Sequence, residues 1–472
     1  AFYCTFRDLS FQRIGTPVTG GICIRLDGCN QVRIADCLFT NIYSAVYCGQ
    51  YSSSSKSKNV YITDSNINNA NSEVRASQIM IRVWNTINLT MDNTYIGWGG
   101  GTIDAAIDID EGVDTATFTN VAASRSGLGG TGIGLRVRST FTSDHKARWI
   151  RFVNCYMEGG ADDCWLLSDG YDISIDDCYA SGGAIGYHCN GAKDVRISNS
   201  ISYWNSDHGL RVSAGSLFLI SGNTIFDNNS VAPFTSYGIS VVAGTSGGRI
   251  IGNTIGQAYG AVPGISFEHF NGILLAANNW ICDDNIVYDA IDSGILVEGD
   301  ENIITGNQCI NSTQYGIEID TGATDNILTG NVCNTNGVGQ FLDNGTTTSH
   351  NNNIPSTGST VTVPFSLNTY TEKTSNATVQ DLFGSFVSLD TAHNLDGGDL
   401  SVTCGIGKLV FVINTAADSA GTIRITGDYV DRATGVATST GTEYEDIVIA
   451  GMTTDGSGTD GGSNVIWAFT RA

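Results

Sequence analysis

Basic residues and prolines are both scarce in this sequence. It has 23 lysines and arginines against 47 aspartates and glutamates, and five prolines in 472 residues. The resulting net charge of −24 argues against anionic partners such as nucleic acid or acidic lipid. No apolar run approaches the roughly 20 residues that a membrane-spanning helix needs, so the sequence predicts no membrane insertion.

Other features are missing at the start of the chain and among its cysteines. The chain begins with Ala1 instead of methionine and shows no signal peptide, so we expect a trimmed start and a missing upstream part. The 13 cysteines form no CxxC pair and no cysteine–histidine cluster with zinc spacing. Their odd number and scattered positions favour buried, reduced thiols over a disulfide framework.

What the sequence does contain is a repeat. An Asn or Asp anchor recurs between apolar and small residues, as in "VRIADCLF", "IRFVNCYM" and "NILTGNVC". Asn and Asp tolerate the left-handed backbone conformation and can stack on the next repeat. The anchors lie 22 to 34 residues apart, at Asp8, Asp36, Asp64, Asn93, Asn120, Asn154, Asp177, Asn199, Asn223, Asn253, Asn285, Asn307 and Asn331.

Between the anchors lies a second phrase, a glycine followed by alternating apolar residues, as in "GIGLRV", "GISVVAG" and "GIEIDTG". Alternation with period two indicates strands with one buried face. Repeats of about 22 residues with two or three short strands predict an all-β fold, a parallel β-helix over residues 1–355. The leucine spacing and helices of leucine-rich repeats are absent.

The repeat fades after Asn353, and residues 356–472 have a different pattern. Short alternating segments such as "SFVSL", "KLVFVIN" and "GTIRITG" follow one another closely. Seven such segments within about 110 residues predict a small C-terminal β-sandwich.

Outward positions of the β-helix strands are where functional residues are sought, because every second residue points away from the core. When the coils are aligned on the glycine that opens each strand, the positions two and four residues later face outward. This alignment places Arg82 at the position four residues later, in line with Asp110 and Arg138. Asp108 and Asp110 then face Arg136 and Arg138 on the next coil, and these four form the arginine cluster. Such charges form either a solvated salt-bridge ladder or a groove for a charged sugar.

A second group, the histidine cluster, spans three successive coils and combines carboxylates, imidazoles and a guanidinium. The outer pairs, Asp162 with Asp163 and Asp207 with His208, stand two coils apart, roughly 10 Å. That distance is near the ~6.5–9.5 Å span of an inverting acid–base pair. Trp204 offers an aromatic face to a sugar. The alternative is a set of solvated corner residues. The cluster comprises Asp162, Asp163, His188, Asp207, His208 and Arg211.

The third group, the acidic cluster, comprises Glu268, Glu298 and Asp320 at one position of three coils, with Glu318 beside them. Like charges at ~5 Å repel, so one carboxyl should have a raised pKa or bind a cation. Calcium is the cation that suits oxygen ligands, although no cofactor is required. The alternative is that the side chains splay into water.

The anchors and the glycine-opened strands resemble the pectin-lyase-like superfamily of right-handed parallel β-helices. Within it, "ADDCWLL" and "SDHGLRVSAGS" are similar to polygalacturonase motifs, with Asp162, Asp163 and His208 at the catalytic positions. The coil "AIGYHCNG" intervenes between the two motifs, whereas that family places them on neighbouring coils.

The combination of an isolated β-helix with a C-terminal β-domain resembles a bacteriophage tailspike. The resemblance implies a homotrimer that acts on a bacterial surface or capsular polysaccharide. It further implies that the β-helix is the catalytic domain and that the C-terminal domain serves trimerisation or carbohydrate binding. It also implies a location on the virion, through the missing upstream part, or outside the cell.

The leading hypothesis is therefore a depolymerase that hydrolyses a glycosidic bond. Asp163 and Asp207, or Asp162, would be the acid and base, and His208 would shuttle the proton. Arg211 and Arg136 would hold an anionic sugar. Two alternatives stay open: a uronate lyase that uses His188 with Arg211 or Arg138, and an adhesin that binds glycan without cleaving it.

Overall fold

Three stacks of short parallel strands make up the first part of the protein in the computed structural model. The structure describes residues 3–12, 21–49, 56–69, 78–99, 102–125, 131–139, 146–228, 236–256, 269–351 and 353–355, together with short strands between 371 and 470. Within these residues there is no helix. Each coil contributes one strand to each stack, and each strand pairs in parallel with its counterpart one coil later.

The first stack, called the site stack, carries the three clusters. Its strands alternate between buried apolar residues and outward residues, as the period-two pattern predicts. They are Ile22–Leu26, Ser44–Cys48, Ile79–Val83, Ala105–Ile109, Ile133–Val137, Trp165–Leu167, the first parts of Tyr187–Ser198 and Leu210–Ser221, Tyr237–Val241, Asn271–Leu275, Ile295–Val297, Tyr315–Ile319 and Gly339–Asp343.

Two further stacks complete each coil. The second contains Cys4–Arg7, Asn30–Ala35, Ser57–Thr63, Thr86–Asp92, Asp114–Thr119, Arg148–Val153, Tyr171–Asp176, the later parts of Tyr187–Ser198 and Leu210–Ser221, Ser246–Ile251, Asn278–Asp283, Ile303–Thr305, Ile327–Thr329 and Ser349–Asn351. The third contains Ser10–Gln12, Leu38–Thr40, Asn66–Asn69, Tyr95–Trp98, Ala122–Arg125, Tyr156–Glu158, Tyr179–Ser181, Ile201–Tyr203, Thr224–Phe226, Thr254–Ile255, Ile286–Tyr288, Gln308–Ile310, Val332–Asn334 and Ile354–Pro355.

The core lies inside the coils and is made of aliphatic side chains, large aromatic side chains and thiols. Trp165 is fully buried and stacks on Tyr187 of the next coil with ring centroids 5.7 Å apart. The twelve cysteines that the structure describes are all free and nine are buried, as the odd cysteine count predicted. Each coil therefore buries its apolar residues against the coils on both sides.

The glycines that open the site-stack strands touch one another from coil to coil. A Cβ atom on Gly186 would lie 2.5 Å from the carbonyl oxygen of Gly209, and one on Gly209 would lie 2.8 Å from that of Gly238. The same close approach recurs from Gly272 to Gly294 at 2.7 Å. Only glycine fits here, because the backbones leave no room for a side chain.

The anchors fall into two classes that the sequence pattern did not separate. In the earlier coils the anchor itself is left-handed and exposed, as at Asp36 and Asn154. In five later coils the left-handed residue is the preceding one, such as Gly252 or Asp284, and the asparagine is buried. The buried asparagines are Asn223, Asn253, Asn285, Asn307 and Asn331.

These buried asparagines form a continuous ladder. Asn253 donates its side-chain amide to the Asn285 side-chain oxygen at 2.9 Å, and Asn285 donates to Asn307 at 2.9 Å. Each side-chain oxygen also accepts from a backbone N–H of the preceding coil. The ladder satisfies polar groups that would otherwise be buried without partners, a cost of about 1–3 kcal/mol each.

The chain divides into two units, Ala1–Val363 and Pro364–Ala472, close to the boundary expected after residue 355. The second unit contains one sheet of six strands, Thr371–Lys373, Phe386–Leu389, Leu409–Asn414, Asn464–Thr470, Tyr429–Val430 and Ala437–Thr438. A four-stranded sheet contains Thr378–Gln380, Asp399–Thr403, Gly421–Thr426 and Tyr444–Ile449. That the two sheets pack as a sandwich stays a prediction.

Candidate functional site

The outward residues of the site stack form two stripes along the coils. The first stripe, at the position two residues after the opening glycine, pairs Asp108 with Arg136 and His188 with Arg211. It continues from Leu296 to Glu318. The second stripe lies two residues further along each strand. Aligning the coils on their opening glycines therefore placed these side chains opposite the partners that they have in the structure.

Two assignments to the stripes were wrong. Arg82 pairs with Asp108 and belongs to the first stripe, not the second. The second-stripe position before Glu298 is taken by Ala276, because the strand of that coil is Asn271–Leu275. Glu268, which was expected there, lies outside the described residues.

The arginine cluster is buried, so it is not a solvated ladder. The Asp108 side chain is inaccessible and accepts hydrogen bonds from Arg136 Nε at 2.8 Å and from Arg138 Nη2 at 2.8 Å. Arg82 completes the arrangement with its Nε 3.4 Å from the same carboxylate. Asp110 is equally buried and lies between Arg82 Nη2 at 3.2 Å and Arg138 Nε at 3.3 Å.

Asp104, from the turn before this strand, adds a third carboxylate to the arginine cluster. Arg136 donates two parallel hydrogen bonds to it, Nη1 to Oδ1 and Nη2 to Oδ2, both at 2.8 Å. These hydrogen bonds outweigh burial and lower the pKa of Asp104. Because three guanidinium groups face three carboxylates, Arg136 and Arg138 have their charges neutralised within the protein.

The histidine cluster is more open. His188 Nδ1 lies 2.7 Å from Asp163 Oδ2, and both side chains are 15% exposed. On its other side, His188 Nε2 lies 2.8 Å from Ser213 Oγ. The preceding residue, Asp162, is exposed. The Asp163 carboxylate therefore contacts His188, whereas the side chain of Asp162, just before it in the chain, faces solvent.

The second half of the histidine cluster pairs an aspartate with a histidine. Asp207 Oδ1 lies 2.9 Å from the buried His208 Nδ1. Burial opposes ionisation of Asp207, but hydrogen bonds from His208 and Ser236 and the His208 charge outweigh it and lower its pKa. Asp207 therefore suits a charged carboxylate or a base, and not a general acid.

Two tryptophans near these histidines have opposite environments. Trp165 is buried, whereas Trp204 is 61% exposed and packs edge-on against Tyr203. Trp204 follows strand Ile201–Tyr203 and precedes Asp207 by three residues. Its indole face is available to a sugar ring, as expected for Trp204.

In the acidic cluster, no ion pair within the described residues joins a carboxylate to a lysine, arginine or histidine. Burial and the charge of Asp320 raise the pKa of Glu298. Burial also raises the pKa of Glu318, with Asp292 and Asp320 contributing, although a hydrogen bond from Ser293 opposes the shift. The cluster therefore holds carboxyl groups that retain a proton more readily than ordinary glutamates.

Tyr237 connects the histidine and acidic clusters. Its phenol has a raised pKa, through burial and through the charges of Glu298, Asp292 and Asp207. Its ring lies 5.3 Å from that of His208. Charges from both clusters thus act on the same Tyr237 phenol.

Within the described part of the chain, no group of three or more His, Cys, Asp or Glu side chains is arranged to hold a metal ion. Calcium at the acidic cluster stays a prediction, since Glu268 is not among those residues. The described part also has no helix long and apolar enough to cross a membrane.

Sequence reasoning missed several residues of these clusters. Arg82 was assigned to the wrong stripe because no glycine opens its strand "IMIRV". Asp104 and Asp292 precede their strands, outside the two stripes. Ser213 lies in the second stripe, and its contact with His188 depends on an irregularity of the strand pairing described below.

Residues 105–266 match the family model of the right-handed β-helix region. The solenoid is a right-handed parallel β-helix. No curated relative matches the chain significantly.

The β-helix is similar to a protein of Geobacillus virus E2, with 16% identity, a TM-score of 0.38 and coverage of 65% of this chain. The chain covers 55% of that protein, little more than half its length. The Azotobacter vinelandii mannuronan C-5 epimerase AlgE4 A-module has 13% identity, a TM-score of 0.38 and coverage of 65% and 90% of the two chains. The Dettilon tailspike protein has 16% identity, a TM-score of 0.39 and coverage of 66% and 62%. These likenesses concern the fold and carry no argument about activity.

Proposed function

We propose that the β-helix is a polysaccharide-degrading enzyme that hydrolyses a glycosidic bond, with its general acid in the acidic cluster. The observation that carries this proposal is the pair Glu298 and Asp320. They occupy the same outward position on adjacent coils, since Glu298 follows strand Ile295–Val297 and Asp320 follows Tyr315–Ile319. A glycosidase needs two such carboxylates, one of them protonated.

Glu298 fits the protonated partner. Burial and the neighbouring Asp320 charge raise its pKa, so it can donate a proton to a glycosidic oxygen nearer neutral pH. Asp320 supplies the second carboxylate, and its Oδ1 accepts a hydrogen bond from the Thr321 backbone N–H at 2.7 Å. Adjacent coils place the two about 4.8 Å apart at the backbone, which favours a retaining over an inverting mechanism.

The histidine cluster would then bind the chain of sugars next to the bond that is cleaved. Asp163 and Asp207 were the predicted acid and base, but each has a histidine partner, and Asp207 has a lowered pKa. Arg211 and the exposed Trp204 remain candidates to hold an anionic sugar and to stack on its ring. Arg136 and Arg138 fit this role less well, because their guanidinium groups face buried carboxylates.

The test measures reducing ends released from a panel of purified bacterial capsular polysaccharides. Glu298→Gln is expected to lower the rate by about 10²–10⁴-fold, the contribution of a general acid. Glu301→Gln, an exposed glutamate on the same coil, is the matched control and should keep the wild-type rate. Full activity in Glu298→Gln with loss in Asp163→Asn or Asp207→Asn would return the acid to the histidine cluster.

A uronate lyase is the second candidate, because His188 and Arg211 are direct neighbours across two coils. A base and a cation at one uronate are what such elimination needs. Ultraviolet absorbance of the unsaturated product identifies it. Polysaccharide that binds without being shortened would instead indicate an adhesin.

We also propose the trimeric, virion-attached spike that the tailspike resemblance implies. Light scattering on the full chain measures the mass of the assembly. A mass of about one 49.9 kDa chain would contradict the trimer.

A further inference from the structure

The histidine cluster contains an arrangement that glycosidic hydrolysis does not require. Asp163 Oδ2 contacts His188 Nδ1 at 2.7 Å, and His188 Nε2 contacts Ser213 Oγ at 2.8 Å. An ionised carboxylate only accepts hydrogen bonds, so in the neutral ring it places the proton on Nδ1. Nε2 then carries the lone pair and accepts the Ser213 hydroxyl proton. The order carboxylate, imidazole, hydroxyl is that of a serine hydrolase.

The strand pairing gives Ser213 a special position. Cys189 pairs with Val212, whereas Asn190 pairs with Ala214, so Ser213 is the additional residue of a β-bulge. A bulge redirects a side chain and is frequent next to active sites. Here it directs the Ser213 hydroxyl back towards His188 on the preceding coil. At a regular position of the strand, the hydroxyl would face only the residue that pairs with it on the adjacent strand.

The three side chains come from three successive coils of the regular solenoid, which holds them rigidly. Ser213 is partly exposed, and His188 and Asp163 are each 15% exposed. The hydroxyl is thus open to a substrate, while most of the imidazole and carboxylate is shielded from water. Such shielding strengthens the electrostatic interactions on which the activation of a nucleophile depends.

Arg211 supplies a positive charge at the same place. It lies two residues before Ser213 on the same strand and pairs with His188 across the coils. Its buried Nε has no hydrogen-bond partner among the described residues, and within that part of the chain this guanidinium keeps unused donor capacity. It is the group that would stabilise negative charge on an ester carbonyl oxygen as the serine attacks.

We propose that Ser213, His188 and Asp163 form a second catalytic centre that hydrolyses acyl esters. Ser213 Oγ attacks the carbonyl carbon, and its proton passes to His188 Nε2. The bond to the alcohol oxygen breaks, and the alcohol leaves with that proton. A water molecule then attacks the acyl-serine, gives a proton to His188, and releases the carboxylic acid while the serine regains its hydrogen. Asp163 is a positioning residue that orients the imidazole.

The class of ester follows from the place of the triad. The triad lies on the outward side of the same site stack as the acidic cluster, so the natural substrate is an O-acylated polysaccharide. This choice rests on the proposed function. Ester hydrolysis itself does not, because it requires neither Glu298 nor Asp320.

The experiment incubates the full chain with 4-nitrophenyl acetate and, separately, with phenylmethylsulfonyl fluoride, followed by peptide mass spectrometry. We expect ester hydrolysis that falls by at least about 10²-fold in Ser213→Ala, and a sulfonylated peptide that contains Ser213. Asp163→Asn should lower kcat with little change in KM. Ser216→Ala on the same strand is the matched control and should keep the wild-type rate.

Absence of both hydrolysis and labelling in the wild-type protein would overturn the proposal, as would labelling at another residue. Labelling needs no variant, so it stays informative even if Ser213→Ala does not fold. Acetate release from an O-acetylated capsular polysaccharide then tests the substrate class. Hydrolysis of 4-nitrophenyl acetate without any released acetate would reject the glycan ester and retain the triad.

Discussion

The arginine cluster and the acidic cluster lie in the same outward stripes of the same sheet, but they treat charge in opposite ways. At the arginine cluster, Asp108 and Asp110 are inaccessible to solvent and each lies against guanidinium groups. At the acidic cluster, Glu298 is exposed and Glu318 is partly buried, and both lie near further carboxylates. Within the described residues, the charges of the arginine cluster are balanced by opposite charges, and those of the acidic cluster are not.

This difference separates structure from function. A buried carboxylate surrounded by arginines has no capacity left for a ligand, and its loss leaves positive charges unpaired. Crowded carboxylates destabilise one another, so the fold gains nothing from keeping them together unless they bind or react with something else. Equal numbers of charged residues in a stripe therefore say little until their partners are known.

The largest expected effect on stability comes from a substitution that breaks the arginine cluster. Asp108→Ala leaves Arg136 and Arg138 without their shared carboxylate, and we expect the free energy of unfolding to fall by about 3–5 kcal/mol. Asp320→Ala, in the second stripe of the acidic cluster, is the matched substitution and should cost less than about 1 kcal/mol. Urea unfolding followed by circular dichroism measures both, and equal losses would contradict the comparison.

A smaller effect concerns pH. The raised pKa values of Glu298 and Glu318 mean that the folded protein binds their protons more tightly than the unfolded chain. Their contribution to stability is present in acid and is lost as pH rises above about 4.3, the ordinary glutamate value. Asp104, with its lowered pKa, has the opposite sign and loses its contribution as pH falls below about 3.9.

The double variant Glu298→Gln, Glu318→Gln should therefore reduce the loss of stability between pH 4 and pH 7. Because both side chains are partly exposed, we expect a difference of less than about 1 kcal/mol. Thermal melts across this pH range, compared with Glu301→Gln, measure it. An unchanged pH slope in the double variant would show that these two glutamates are solvated.

The smallest effect comes from an exposed ion pair in the second stack. Arg148 bonds Asp114 through Nε at 3.2 Å and Nη2 at 3.0 Å, but half of its side chain faces water. Asp114→Asn should cause the smallest loss of stability of these variants, and the loss should disappear in 1 M NaCl. The loss in Asp108→Ala should persist in that salt, since its partners are buried.

The fold could be predicted because its signals are local and repeated. Period-two apolar residues, an opening glycine and an Asn or Asp corner each have one physical cause, and the solenoid repeats them in successive coils. The alignment failed where a coil offered no glycine, as at Arg82, or two of them. "PGISFEH" and "NGILL" both fit the pattern, and the strand forms at the second.

The site was only partly predictable, because its chemistry depends on contacts between coils. Asp163 and His188 were expected on one face, but the contact of His188 with Ser213 depends on a bulge that alternation cannot reveal. Similarly, the sequence placed Asp108 opposite Arg136 without showing that Arg82 and Asp104 bury them. Partners contributed from outside the stripes were the residues missed.

The asparagine ladder has a consequence for how such a protein can change. Each asparagine satisfies its neighbour in the same way, so a whole coil could be inserted or deleted and the ladder would close again. Along the solenoid, the distance between Ser213 and Glu298 can then vary only in whole steps of about 4.8 Å. The length of glycan between the two proposed centres is then set by the number of coils between them.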